Sequence, residues 1–264
     1  MRFALVNDAR VLAEPKLHGL CPGCAQPVVA KCGKQRIWHW AHLSKRTCDR
    51  WWEPETEWHR AWKNKFHPDW QEYIQRDQSG EKHIADVRTQ HGLVVEFQHS
   101  HLNPEERTTR ERFYGKMVWV VDGMRLKRDY SRFLKGKLQL KPTLAKGYFL
   151  SANPEECFPP AWLESPAPVV FDFRETALAG APVEDSESLW CLLPNRTNGN
   201  AVVVEISRSE FVTFVCNSTD PAQELVDILI QRSKPAMDII RRFQRQPNPS
   251  IRLLPQPMRR RWRL

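Results

Sequence analysis

The run His83–Ser100, HIADVRTQHGLVVEFQHS, places two acids and an amide where one face of a β-hairpin can gather them. Ile84–Arg88 and Leu93–Gln98 are β-rich stretches on either side of the turn signal Thr89-Gln90-His91-Gly92. A three-residue loop, Gln90-His91-Gly92, with Gly92 in the left-handed conformation sets residues equally far from His91 opposite each other. Asp86 then faces Glu96. Gln98 shares the face of Glu96 because strand side chains alternate, and Val95 and Phe97 point the other way, available for burial. Oxygen ligands on one face, backed by apolar residues, suit Mg²⁺ or Mn²⁺.

A second constellation has softer donors. Cys21-Pro-Gly-Cys24 forms a tight knuckle, followed by His39, His42 and Cys48. Zinc prefers four tetrahedral Cys or His ligands, and a Cys-x₂-Cys pair with a second pair some 15–20 residues later is a structural spacing. The stretch after the knuckle resembles the zinc ribbons of DNA topoisomerases, with an aromatic residue, here Trp40, two positions before the third ligand and the fourth ligand six after it. The chosen zinc ligands are Cys21, Cys24, His42 and Cys48, with His39 as first substitute and Cys32 as the outside candidate. A closed site of this kind is structural, since it leaves no position for substrate. The alternative is a set of unmetallated thiols in a small β-module. Cys157, Cys191 and Cys216 lack metal-like spacing and read as buried thiols.

The elements around the hairpin follow from capping and periodicity. Pro54–Phe66 reads as a helix, with Trp58, Trp62 and Phe66 as its apolar stripe and Glu57, His59 and Lys63 off it. Trp70–Arg76 reads as a strand. Asn103-Pro104-Glu105-Glu106 has a helix-start signature, giving a helix to about Tyr114, and Lys116–Val121 is a short buried strand. The order is helix, three strands, helix, strand. Seven tryptophans fall between Trp38 and Trp70. Their first reading is packing of the N-terminal module against the first helix; stacking on bases is the other.

That order, with an Asp near one strand end and Glu-x-Gln on the next, resembles the PD-(D/E)xK nuclease superfamily. More narrowly, residues 1–123 resemble the competence protein CoiA-like family of bacterial nucleases. The resemblance is carried by CPGC at Cys21–Cys24, WHWAH at Trp38–His42, Glu57 with His59, HIADV, VVEFQHS, the Glu106/Arg110/Tyr114 helix and WVVDG. It fades after about residue 150. It implies Asp86 and Glu96 as ligands of a catalytic Mg²⁺ or Mn²⁺, with Gln98 where the superfamily usually has Lys. Gln98 would orient water or phosphate but is no base near neutral pH. Glu57 is the auxiliary acid. The implied reaction is hydrolysis of DNA phosphodiester bonds in competence, recombination or defence against foreign DNA.

Composition sets bounds. With 264 residues, 41% hydrophobic and 27% charged, the chain is an ordinary globular protein. Residues 1–6 are too short an apolar run for a signal peptide, and no stretch approaches a membrane span, so a cytoplasmic address without membrane contact is expected. The odd count of seven cysteines argues against a secreted disulfide scaffold. The net charge of +9 is uneven: Arg107–Lys146 holds twelve Lys or Arg against Glu111, Asp122 and Asp129, and Gln231–Leu264 holds ten against Asp238 alone. Basic blocks beside a carboxylate site favour a polyanion such as nucleic acid; solvated surface faces are the duller account.

The second half carries less. Ser151–Pro168 is proline-rich and irregular; Val169–Phe173, Leu189–Leu193, Ala201–Ile206 and Phe211–Val215 read as strands. Pro221 opens a helix to about Arg232, and a second helix is expected over 235–243. The expected architecture is α/β: an N-terminal zinc-ribbon module over 1–52, a restriction-endonuclease-like core over 53–150, an α+β accessory region over 151–246 and a basic, flexible tail over 247–264. Two other classes compete: a catalytically silent zinc-ribbon nucleic-acid binder, and a subunit that docks a protein partner through its C-terminal region.

Overall fold

The computed structural model describes residues 1–44, 48–174, 188–197, 199–228 and 231. Two sheets carry it. The first is antiparallel, with β1 (Phe3–Val6), β2 (Ala9–Leu12), β3 (His18–Leu20), β4 (Pro27–Lys31) and β5 (His39–His42) in the order β2-β1-β3-β4-β5. Its buried core is only Ala4, Ala13, Cys21, Val28 and Trp40. A unit this small buries too little apolar surface to be stable by packing alone, so it needs a staple or a neighbour.

The second sheet has nine strands, in the order β10-β11-β14-β13-β12-β9-β8-β7-β6. The segment leading to it contains α1 (Glu57–Lys63); then follow β6 (Gln71–Arg76), β7 (Lys82–Arg88), β8 (Val94–Gln98), α2 (Pro104–Tyr114), β9 (Met117–Asp122), α3 (Lys127–Lys137), β10 (Lys141–Pro142), β11 (Tyr148–Ser151), β12 (Val169–Asp172), β13 (Ser188–Thr197), β14 (Asn200–Ser207) and α4 (Arg208–Asn217). The expected order helix, three strands, helix, strand is present from Glu57 to Asp122. The centre is a parallel trio, β8, β9 and β12, whose residues are all buried. Parallel strands read as unbroken apolar runs because helices cover both faces. Here α1 and α4 contribute Trp62 and Phe211 to one core cluster, while α2 and α3 contribute Tyr114 and Phe133 to the other.

The β7–β8 hairpin has the expected loop: Thr89 N–H donates to the Leu93 carbonyl at 2.9 Å, Gly92 has φ +82, and Val87 faces Val95. The α2 start is also as expected, with Asn103 Oδ1 accepting from the Glu105 amide at 2.9 Å and Pro104 in the first turn.

Three expectations change. The first helix is shorter than Pro54–Phe66: Thr56 caps it in a reciprocal pair with His59, and Pro54–Thr56 precede it. Phe211–Val215 is not a strand but part of α4. Ser207 and Glu210 form a capping box ahead of it, and buried Phe211 and Val215 stand one helical turn apart. Finally, the core expected to end near position 150 continues its sheet past it: β12 pairs with β9, so strands of the α+β region over 151–246 belong to the same sheet. Residues 221–228 are helical as expected. The helix expected over 235–243 and the tail over 247–264 lie outside the described residues. Among the described residues no helix is long and apolar enough to cross a membrane.

Candidate functional site

Beyond Val87 and Val95 the β7–β8 ladder opens, and side chains take the backbone bonds. The Asp86 amide donates to Glu96 Oε1 at 3.1 Å, and the Phe97 amide donates to Asp86 Oδ2 at 2.9 Å. Across β6, Gln71 pairs with Val87 and Tyr73 with Ala85, which sets Glu72 level with Asp86. Glu72 has φ +47, a strained conformation for a residue with a side chain, and its carboxylate accepts the amides of Arg2 at 2.7 Å and Phe3 at 3.2 Å. One line of distortion therefore crosses three strands at three acids.

Two cations reach this line from opposite faces of the sheet. Lys63, the last residue of α1 and 5% exposed, sits with Nζ 2.8 Å from Asp86 Oδ1, 3.6 Å from Glu55 Oε1 and 3.8 Å from Glu72 Oε1. Arg110 of α2 lies 3.5 Å from Glu96 Oε2 and 2.5 Å from Glu106 Oε1. The α1 helix is pinned by Asp172 at the end of β12, which is fully buried and accepts the indole N–H groups of Trp58 at 2.8 Å and Trp62 at 2.9 Å. Trp62 immediately precedes Lys63, so that clamp fixes where Nζ points.

The groups line a recess of about 70 Å³. Burial pushes the Glu96 carboxyl up to about 8, helped by the Asp86 charge and opposed by Arg110. Burial would also raise Asp86, but Lys63 and His59 outweigh it and hold this carboxyl below its ordinary range. Lys63 stays protonated against its own burial because Asp86, Glu72 and Glu55 surround it. Burial lowers His59, with Asp86 opposing.

Asp86, Glu96 and Gln98 all line the recess, as does the unanticipated set Glu53, Glu55, Glu72, Lys63 and Arg110. The Gln98 amide donates to Glu53 Oε1 at 2.8 Å and Ser100 Oγ at 3.0 Å, so it holds Glu53 in place. Glu57 does not join them: it is exposed at the first turn of α1 and lines a separate, wider cleft. The late start of α1 is the reason, since it leaves Glu53 and Glu55 on extended chain that turns inward. His99 Nδ1–H donates to Asp122 Oδ2 at 2.7 Å, and His99 does not line the recess. Lys63 carried a faint signal, a charge wedged between Trp62 and Phe66; Glu72 carried none.

Glu55 Oε1 is buried without a hydrogen bond, and the carboxylates outnumber the cations around them. Among the described residues, however, no three acid oxygens converge here.

Convergence of three or more ligand atoms is found instead at Cys21, Cys24, His42 and Cys48, whose donor atoms all lie within 4.8 Å of one another. Cys21 and Cys24 flank the turn between β3 and β4, where Ala25 N–H closes on the Cys21 carbonyl at 2.8 Å; His42 ends β5. The Cys21 and Cys48 sulfurs are 3.6 Å apart, close to the roughly 3.7 Å that two 2.3 Å Zn–S bonds at a tetrahedral angle require. Cys24 Sγ lies 3.2 Å from His42 Nε2. The hydrogen bond between Cys21 and Cys48 lowers the Cys21 thiol against its burial and raises that of Cys48. The cluster can bind zinc. His39 lies outside it, with Nδ1 on the Ile37 carbonyl at 2.7 Å, and Cys32 stands apart on the outer loop.

The two sites are joined through β7. Asp49, next to Cys48, accepts the Ile84 amide at 2.7 Å and lies 2.8 Å from His83 Nδ1; Lys82 Nζ donates to the Gly23 carbonyl at 2.6 Å.

The fold and these sites define a mixed α/β protein with two sheets, an N-terminal Cys₃His cluster and a buried acidic recess. Residues 12–50 match the family model described as competence protein CoiA, N-terminal domain, a span that contains all four cluster residues and supports kinship with that family. No curated protein and no solved structure matches the chain. Of the residues that line the recess, Asp49 falls within the matched span, and Asp86, Glu96 and Gln98 lie beyond it.

Proposed function

We propose that the chain is a divalent-metal-dependent nuclease that hydrolyses DNA phosphodiester bonds, built on a restriction-endonuclease-like core and serving competence-related handling of DNA. The observation that carries this reading is the break in the sheet at Asp86 and Glu96. Two neighbouring strands give up a ladder rung to aim carboxylates into a recess, an arrangement without value to a purely structural sheet. Asp86 and Glu96 would hold the ion and Glu53 or Glu55 would hold its water through hydrogen bonds. A bound Mg²⁺ or Mn²⁺ supplies Lewis acidity at a phosphoryl oxygen and makes a water acidic enough to attack near neutral pH. Lys63 supplies the fixed positive charge that Gln98 lacks, available to a phosphate oxygen on which charge develops. Gln98 positions Glu53. The Cys₃His cluster would hold structural zinc and anchor β7 through Asp49 and Lys82.

A second reading has its own observation. Lys63 already neutralises Asp86, and a protonated Glu96 needs no partner, so the recess is electrically stable without a metal, as a catalytically silent nucleic-acid binder would have it. Titrating Mg²⁺ and Mn²⁺ against cleavage of single-stranded, duplex and branched DNA separates the two. Wild-type protein should cleave at least one of them, and Asp86→Ala and Glu96→Ala should not, while keeping zinc and DNA binding. Absence of cleavage by the wild type on all three substrates with both metals gives the silent reading.

A further inference from the structure

The acidic recess shares part of its wall with a larger cleft. Met1, Trp52 and Glu55 belong to its wall and also to that of a cleft of about 480 Å³ between the loop from β4 to β5 and the chain entering α1. The loop presents Lys34 and Arg36 to this cleft, both exposed and neither in an ion pair or hydrogen bond among the described residues. Trp52 stands at the junction, 46% exposed, and its ring has no aromatic or side-chain hydrogen-bond partner among the described residues. Its neighbour Trp51 behaves oppositely: it is buried and stacked on His83 with ring centroids 3.2 Å apart. One of two adjacent tryptophans thus packs the fold, and the other is displayed at the mouth of the acidic site.

We infer that this cleft is a binding channel for a single nucleic-acid strand, in which Trp52 stacks on a base and Lys34 and Arg36 meet phosphates, delivering the chain to Asp86 and Glu96. The delivery step rests on the nuclease reading; the binding step does not. A recess of about 70 Å³ with Glu96 only 5% exposed admits a phosphate on a flexible strand whose base has turned aside. A duplex keeps its bases stacked inward and offers Trp52 no open π-face. Stacking on an indole is indifferent to base identity, since every base has such a face. Glu55 and Glu57 are the acids on this wall; Glu55 is engaged by Arg60 and Lys63, which leaves Glu57 to oppose the phosphates.

The test is fluorescence anisotropy of a labelled oligothymidylate and of a labelled duplex with the full chain, zinc retained and no Mg²⁺ or Mn²⁺ added. Trp52→Ala should weaken strand binding about 5- to 100-fold and leave duplex binding almost unchanged, with Trp52→Phe recovering most of the loss. Lys34→Ala and Arg36→Ala should each lower the log–log salt slope by roughly 0.7. Glu57→Gln should tighten binding. Retained zinc and an unchanged circular dichroism spectrum show that each variant folds. Strand affinity in Trp52→Ala equal to wild type, or an equal loss on strand and duplex, overturns the channel. The two readings fail separately. Tight, Trp52-dependent strand binding without cleavage removes the nuclease and keeps the channel. Cleavage of single strands with a KM unaffected by Trp52→Ala keeps the nuclease and removes the channel.

Discussion

Glu96 and Lys63 answer the same problem, a carboxylate pair with too little water around it, and they answer it in opposite ways. Glu96, near 8, is largely protonated at neutral pH. Because its folded value is raised above the ordinary 4.5, the stability it contributes is present below about pH 4.5 and is lost as pH rises through about 8. A divalent ion binds the ionised form, so its effect has the reverse sign. The rise in Tm on adding Mn²⁺ should be small near about pH 6 and grow to a plateau above about pH 8, and Glu96→Gln should remove the pH dependence. A Mn²⁺ effect that is flat across this range would mean that Glu96 is not a ligand. Lys63 gives an independent check. Lys63→Met leaves the half-buried Asp86 without its cation and should cost on the order of 3 kcal/mol in metal-free protein, the low end for breaking a buried pair. Since a divalent ion can compensate the same carboxylates, Mg²⁺ or Mn²⁺ should restore part of that loss. Urea denaturation with and without metal measures both quantities, and a loss indifferent to metal would place the ion elsewhere.

At the scale of elements, the small N-terminal sheet depends on its cluster more than on its core. About one zinc per chain is expected in the purified protein, and Cys24→Ser should lose it, whereas Asp86→Ala should keep it. Because Lys82 and Asp49 tie the cluster to β7, the Cys24→Ser variant should also show faster amide exchange at Ile84 and Asp86. Elemental analysis with hydrogen exchange tests the pair, and exchange unaltered at β7 would uncouple the two sites. Signals of this local kind were legible in the chain: the Thr89–Gly92 turn fixed the hairpin register, Asn103-Pro104 marked the α2 start, and the Cys and His spacing gathered the four cluster residues. What the sequence hid was tertiary. Thr56 and His59 capped α1 late and sent Glu57 outward. Lys63 needed Asp172, more than a hundred residues away, to hold its helix. Glu72 became a site residue only because the amides of Arg2 and Phe3 were there to bind it. The capping box at Ser207 was visible in principle, and the apolar run Phe211–Val215 concealed it behind a strand-like composition.

At the scale of the whole molecule, charge separates approach from reaction. The recess is acidic, so a polyanion must be held by other surfaces before a phosphate can enter it. The α3 helix is one such surface. It buries Phe133 against Phe173 and Trp190 and Gly136 against the turn at Glu156 and Cys157, and turns Lys127, Arg128 and Lys135 outward, with none of the three in an ion pair among the described residues. They border a broad open depression, and exposed Leu134 shares their side of the helix. The helix follows β9, the parallel neighbour of the strand that carries Glu96, so under the proposed function it would hold the substrate from the same sheet that holds the acids. Replacing Lys127, Arg128 and Lys135 together by Ala should weaken DNA binding alike for every sequence, because exposed flexible cations contact phosphates and do not read base edges. The log–log salt slope should fall by roughly 0.7 per lost contact on single strands and 0.9 on duplex. Unlike Trp52→Ala, the triple variant should lose affinity for strand and duplex together, since both present phosphates. If affinity and slope measured from low to high salt match wild type, α3 is a solvated face, and the approach of nucleic acid must be assigned to another basic region of the chain.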